Sequence, residues 1–107
     1  MTEETNFIEL THPGRMLQEE MLEPLGMTAY RLSKGIGLSQ TAVSAVLRGE
    51  RNITPTIGLL IDKFFGFSPG YWYSLQADYD LEKTQRLIAA RLAAIEPYPR
   101  PELGQAA

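Results

Sequence analysis

The chain has 107 residues, 44% of them apolar, and a formal net charge of -3; that size suits one compact domain whose core holds without disulfide or metal support. It contains no cysteine, which excludes disulfides and thiolate metal sites and suits a reducing compartment. Met1-Thr2-Glu3-Glu4-Thr5 is acidic where a secretory signal is basic, and no apolar run approaches the roughly 18 residues that cross a bilayer, so a cytoplasmic protein that does not engage membrane is expected.

Residues 1–11 read as an N-terminal arm. Thr11-His12-Pro13-Gly14 has the form of a cap with proline at or near the first turn, and Met16, Leu17, Met21 and Leu22 recur at helical spacing until Pro24, which is expected to stop the first helix. Thr28 caps a second helix, with Leu32 and Tyr30 on its core side and Gly35 with Gly37 ending it in a turn. Ser39 caps a third helix that runs to about Arg48 and is closed by Gly49. Thr54-Pro55 opens a fourth, whose Ile57, Leu60, Ile61, Phe64 and Phe65 make the strongest apolar stripe of the chain before Gly66 ends it. Ser68-Pro69 repeats the cap-then-proline signal, and a fifth helix carries Tyr71, Trp72 and Leu75 toward Asp78. From Leu81 onward, Leu81, Ile88, Leu92 and Ile95 share one face of an additional C-terminal helix over 81–96, and Pro97-Tyr98-Pro99-Arg100-Pro101 begins a flexible, proline-containing tail over 97–107. No segment alternates as a strand does. The predicted fold is all-α: a five-helix bundle over 12–80 followed by the extra helix.

Thr28 to Arg48 is the segment with a functional reading, because it sets two short amphipathic helices around a glycine turn. Leu32, Ser33, Gly37, Leu38, Val43 and Val46 are the apolar or small residues that a tight helix-turn-helix requires. Residues 28–54 carry Arg31, Lys34, Arg48 and Arg51 against Glu50 alone, whereas residues 1–27 carry six glutamates against Arg15. The protein is acidic, yet its one basic block coincides with the motif, as binding to double-stranded DNA demands. With Val43, Val46 and Leu47 turned inward, Gln40, Thr41, Ser44 and Ala45 face outward at the start of the second motif helix. Gln pairs with adenine in bidentate fashion, Ser and Thr bond several base edges, and Ala or the Thr methyl packs on a thymine methyl. Thr28 and Ser39 open helix N-termini that suit phosphate, and Arg31, Arg48, Arg51 and Asn52 flank them as further phosphate contacts.

Enzymatic readings fail on residue type. His12, the single histidine, precedes a proline at a helix start and has no second ligand beside it, so a structural role is expected and no metal site. Gly35-x-Gly37 has Gln40 where a dinucleotide loop places a third glycine, and Glu19, Glu20 and Glu23 read as a solvated helix face. Neither an enzyme nor a small-molecule cofactor is expected. The aromatic end of the fifth helix, Tyr71 and Trp72 with Leu75, reads as a homodimer seam.

The residues around the motif resemble the HigA family of antitoxins, within the lambda-repressor-like (XRE) helix-turn-helix proteins. The resemblance begins at His12-Pro13-Gly14-Arg15-Met16-Leu17 and continues through Glu23-Pro24-Leu25-Gly26-Met27 and the motif. It finishes with Trp72, Leu75-Gln76-Ala77 and Tyr79-Asp80-Leu81, and these flanking segments are more diagnostic than the motif itself. It implies a homodimeric repressor of its own operon that also neutralises a co-encoded toxin, a small basic mRNA endonuclease. The residues that would touch a toxin are not implied. Two departures stand out: Gly35 sits inside the second helix where relatives prefer a helix former, and residues 82–107 outrun the shared region. A solitary regulator without a toxin, or an interaction module that uses the acidic N-terminal block and has vestigial DNA binding, are the alternative readings.

Overall fold

A computed structural model describes residues 10–99, and among these the regular structure is entirely helical. Residues 1–9 of the expected arm and 100–107 of the expected tail lie outside the described residues. Helix α1 spans 13–25 in three consecutive stretches, Pro13–Leu17, a π-helical turn Gln18–Leu22, and Glu23–Leu25. The others are α2 (Ala29–Ile36), α3 (Gln40–Leu47), α4 (Pro55–Phe65), α5 (Tyr71–Leu87) and α6 (Ala89–Ala94). None of them is long and apolar enough to cross a membrane, among the described residues.

Local chemistry accounts for most of the boundaries. Thr28, Ser39 and Thr54 hold extended backbone, and their hydroxyl oxygens accept the N–H groups of Arg31, Ala42 and Ile57 at 3.0, 3.1 and 3.2 Å, satisfying donors that a helix start leaves unpaired. Gly37 turns the chain between α2 and α3 at φ 76°, a left-handed conformation that a Cβ disfavours.

Three expected boundaries differ. Pro24 does not stop α1, which continues to Leu25 and ends at Gly26 with φ 65°. Within the π-helical turn the Glu23 N–H donates to the Gln18 carbonyl, so the ladder changes register directly ahead of the residue that has no N–H to offer. Ser68 does not cap α5. That service comes from Asp62 of α4, which is 1% exposed and whose two carboxylate oxygens accept the Gly70 and Trp72 N–H groups at 2.8 and 3.2 Å. The chain also does not break near residue 80: α5 is one helix to Leu87, and the break falls at Ile88, where φ is -112° and ψ 24°.

The core forms where α1 to α5 meet. Leu17 and Leu22 of α1, Leu32 of α2, Val43 and Val46 of α3, Ile57 and Ile61 of α4, and Trp72 of α5 are all at most 4% exposed, as is Ile53 in the α3–α4 loop. Tyr30 is not among them: at 55% exposure it lies on the surface, with the Lys34 ammonium 5.4 Å from its ring centre. Gly35 has a packing reason, because a Cβ there would run into the Phe64 ring of α4; its absence lets α2 and α4 close on each other and offsets the poor helix propensity of glycine.

Asp62→Ala should lower unfolding stability by about 3 kcal/mol, since it strands two N–H groups at the start of α5, and Asp62→Asn, which keeps one acceptor oxygen, by about half as much. Urea unfolding followed by circular dichroism checks both; equal losses would show that capping is not what Asp62 contributes.

Candidate nucleic-acid interface

The orientation of α3 follows from its buried side. Val43, Val46 and Leu47 are 3%, 3% and 6% exposed. Gln40 and Thr41 are consequently exposed on the opposite side, and Ser44 and Ala45 half-buried between the two. Gln40, Thr41, Ser44 and Arg48 line one shallow, open hollow along the helix, a polar strip with an amide, two hydroxyls and a guanidinium. Ala45 lies outside that hollow. Behind α3, the α1 backbone approaches so closely that a Cβ on Gly14 would overlap the Val46 carbonyl. The second motif helix is thus held from behind by backbone as well as by side chains.

The flanking residues carry commitments that spacing does not reveal. The hydroxyl oxygens of Thr28 and Ser39 accept their helix N–H groups, which leaves each hydroxyl a hydrogen to donate. The Arg31 guanidinium lies 5.3 Å from the Phe64 ring centre, so its stem covers some of α4. Arg48 donates to Glu50 at 3.0 Å, with both side chains more than half exposed. The hydrogen bond from Arg48, and then its charge, hold the Glu50 carboxyl below its ordinary range, and the same two influences from Glu50 raise Arg48. What stability this pair adds is therefore present above the ordinary carboxylate range and fades as the pH falls through the lowered value; with both side chains largely in water it is small. Arg51 is exposed, and the Asn52 Oδ1 accepts from His12.

That last bond belongs to a polar bracket whose residues are legible in sequence as a motif and not as a site. His12 is 8% exposed; its Nδ1 accepts the Gly14 N–H at 2.9 Å, which caps α1, and its Nε2–H donates to Asn52 at 3.2 Å. This is the structural role read for it. The ring of Tyr79 on α5 meets the imidazole edge-on, centres 5.2 Å apart. Three residues earlier on the same helix, Gln76 is 1% exposed, accepts the Ile53 N–H at 2.8 Å and donates to Asp80 at 3.0 Å. The signal for these residues lies in the His-Pro-Gly opening and the Leu-Gln-Ala-x-Tyr-Asp-Leu ending, which mark positions without saying what they touch.

The expected seam residues separate. Trp72 is 3% exposed and belongs to the core, flanked edge-on by Phe67 and Tyr71, so it has no surface to offer a partner. Tyr71 is exposed and stacks on Phe67 with centres 5.0 Å apart, while Leu75 is half-buried. Among the described residues no group of three His, Cys, Asp or Glu side chains is placed to hold a metal ion.

Gln76→Leu should remove the partner of the Ile53 N–H at nearly constant volume, costing about 1 to 3 kcal/mol. Hydrogen exchange at the Ile53 amide should accelerate before that of the α4 amides; unchanged protection at Ile53 would deny the clamp.

The helix-turn-helix family model matches residues 18–72. Virulence-associated protein I of Dichelobacter nodosus is 32% identical over 81 residues, which is 76% of this chain and 75% of that protein. An addiction module antidote protein of the HigA family from Coxiella burnetii is 33% identical and superposes with a TM-score of 0.77, over 85% of this chain and all of its own. In fold the chain also matches the Pseudomonas aeruginosa antitoxin HigA, solved with the higBA promoter, at a TM-score of 0.79 and 24% identity over 85% of this chain and all of that one. The chain belongs to the helix-turn-helix family of DNA-binding proteins and, within it, to the HigA group.

Proposed function

We propose that this chain is a transcriptional repressor that acts as a homodimer on a two-fold operator and, as the antitoxin of a type II toxin-antitoxin system, neutralises a co-encoded mRNA-endonuclease toxin. The observation that carries the DNA-reading role is the polar strip of Gln40, Thr41, Ser44 and Arg48 along the open side of α3, directly after the N-cap Ser39. A helix presented in this way enters the major groove with its first turn against base edges. Gln40, Thr41, Ser44 and Ala45 then read bases, while Thr28, Arg31, Ser39, Arg48, Arg51 and Asn52 hold phosphates and set the register. Two copies place their reading helices about 34 Å apart, in successive major grooves.

The antitoxin role draws support from the HigA group to which the chain belongs, and from its charge. Residues 1–27 hold six glutamates and one arginine, and Glu19, Glu20 and Glu23 are exposed on α1, where a small basic protein finds complementary charge. Co-expression with the neighbouring gene, purification, and a promoter mobility shift test both roles together. A small basic protein retained on this chain and a shifted promoter support the proposal; promoter binding with no retained protein leaves a solitary regulator, and a retained protein without a promoter complex leaves an interaction module.

Gln40→Ala should relax base choice at one operator position and cost about 1 to 3 kcal/mol there, whereas Arg48→Ala should weaken all sequences alike and lower the slope of log K against log salt by about one. Operator variants titrated at several salt concentrations separate the two. Glu50→Gln releases Arg48 from its carboxylate and should act in the opposite sense, with tighter binding and a steeper slope; weaker binding would mean that Glu50 positions Arg48 instead of competing with DNA for it.

A further inference from the structure

Arg48 stands on a ridge between two hollows. On one side lies the strip it shares with Gln40, Thr41 and Ser44; on the other is a second polar hollow, walled by His12, Arg15 and Glu19 at the start of α1 and by Tyr79 of α5. The Arg15 stem lies along Gly49, where a Cβ would sit 3.3 Å from its Cγ, and this brings a second guanidinium into the hollow with Arg48. The Lys83 ammonium, 5.7 Å from the Tyr79 ring centre, adds a third cation over that wall. The N-terminus of α1 contributes no donor: His12 Nδ1 takes the Gly14 N–H at 2.9 Å, and the His12 carbonyl takes those of Arg15 and Met16 at 2.9 and 3.1 Å. What the hollow offers a ligand is guanidinium.

We infer that this hollow holds a phosphate of the DNA backbone beside the stretch read by α3, with Arg15 as its principal ligand. The inference rests on the operator binding proposed above and extends it to α1. Two observations choose the occupant. The hollow is continuous with the reading strip through Arg48, and with the α3–α4 loop through the bond from His12 to Asn52. A strand that passes the strip carries a phosphate about every 3.4 Å of axis, so one falls opposite the hollow. The second observation is the state of the cations. Arg15 is held by Glu19 at 3.3 Å and Arg48 by Glu50 at 3.0 Å, with all four side chains at least half exposed. Such pairs contribute little in water, whereas a guanidinium takes phosphate in bidentate fashion, so a phosphodiester displaces the carboxylates at small cost.

Promoter binding by the full chain at several salt concentrations tests the site. Arg15→Gln, with its helical circular dichroism retained, should weaken every operator sequence alike, about fivefold at about 0.1 M salt, and lower the slope of log K against log salt by about one. Arg15→Lys keeps the charge and should keep the slope. Glu19→Gln should tighten binding about twofold, and Glu20→Gln, exposed on α1 but off the hollow, should not. Promoter duplexes carrying one methylphosphonate at a time then locate the contact: neutralising one phosphate should weaken wild type and leave Arg15→Gln indifferent. A wild-type slope for Arg15→Gln, equal gains from both glutamate variants, or the same methylphosphonate pattern in the two proteins, as a site for free phosphate alone would give, overturns the site. Failure of the repressor reading is distinct. Wild type then forms no specific promoter complex, which removes both, whereas loss of the phosphate site alone leaves a specific complex that Arg15 does not affect.

Discussion

The hydrogen bond from the Ile53 N–H to the buried Gln76 side chain is the constraint on which the geometry of the segment between α3 and α4 depends. Between the end of α3 and the start of α4 the chain reverses through a short loop, and Ile53 in that loop is driven into the core at 1% exposure. Its backbone N–H goes with it, outside any helix and beyond the reach of water; unpaired, it would cost about 1 to 3 kcal/mol. Gln76 supplies the acceptor at 2.8 Å, and Asp80 fixes which end of the amide points inward by taking its N–H group at 3.0 Å. Arg51 and Asn52, immediately before Ile53, inherit their positions from this bond, and His12 ties Asn52 to the start of α1.

Asp62 has the corresponding role at the other end of α5. It caps that helix from α4, so the direction of α5, and with it the placement of Gln76 and Tyr79, depends on a carboxylate that belongs to another helix. The apolar core explains why the helices meet. The bracket of His12, Asn52, Gln76 and Tyr79, together with Asp62, explains why they meet in one register, since each bond has a single geometry that satisfies a buried group. The net negative charge is unevenly spread: Glu19, Glu20 and Glu23 are exposed on α1, with Glu19 paired to Arg15, while residues 28–54 hold Arg31, Lys34, Arg48 and Arg51 against Glu50.

Much of this is legible in the residues themselves. Thr28, Ser39 and Thr54 announce helix starts because a hydroxyl at that position satisfies a donor that the chain must otherwise leave to water, and all three act as caps. Spacing turns Val43, Val46 and Leu47 inward, and the same spacing turns Gln40 and Thr41 outward, as the fold has them. The departures share a cause. Ser68 has the form of a cap and Pro24 that of a stop because local chemistry allows both, but Asp62 reaches the N-terminus of α5 instead, and a wider helical turn carries α1 past its proline. Trp72 has the form of a partner contact because an aromatic near a domain edge is either core or interface, and sequence does not distinguish the two.

What the sequence by itself determined is whatever depends on neighbours within about one turn: helix content, the caps, the glycine turn, the inward side of α3 and the local excess of positive charge. These rest on backbone donors, φ preferences and helical period, which act over a few residues. Only packing across the fold decides what Gln76, Asp62 and His12 are for, why Gly14 and Gly35 must lack a Cβ, and that α5 runs on to Leu87 with its last two turns exposed. Those outcomes join residues 8 to 40 positions apart, and a buried polar group takes the acceptor that packing brings within about 3 Å, wherever in the chain it comes from.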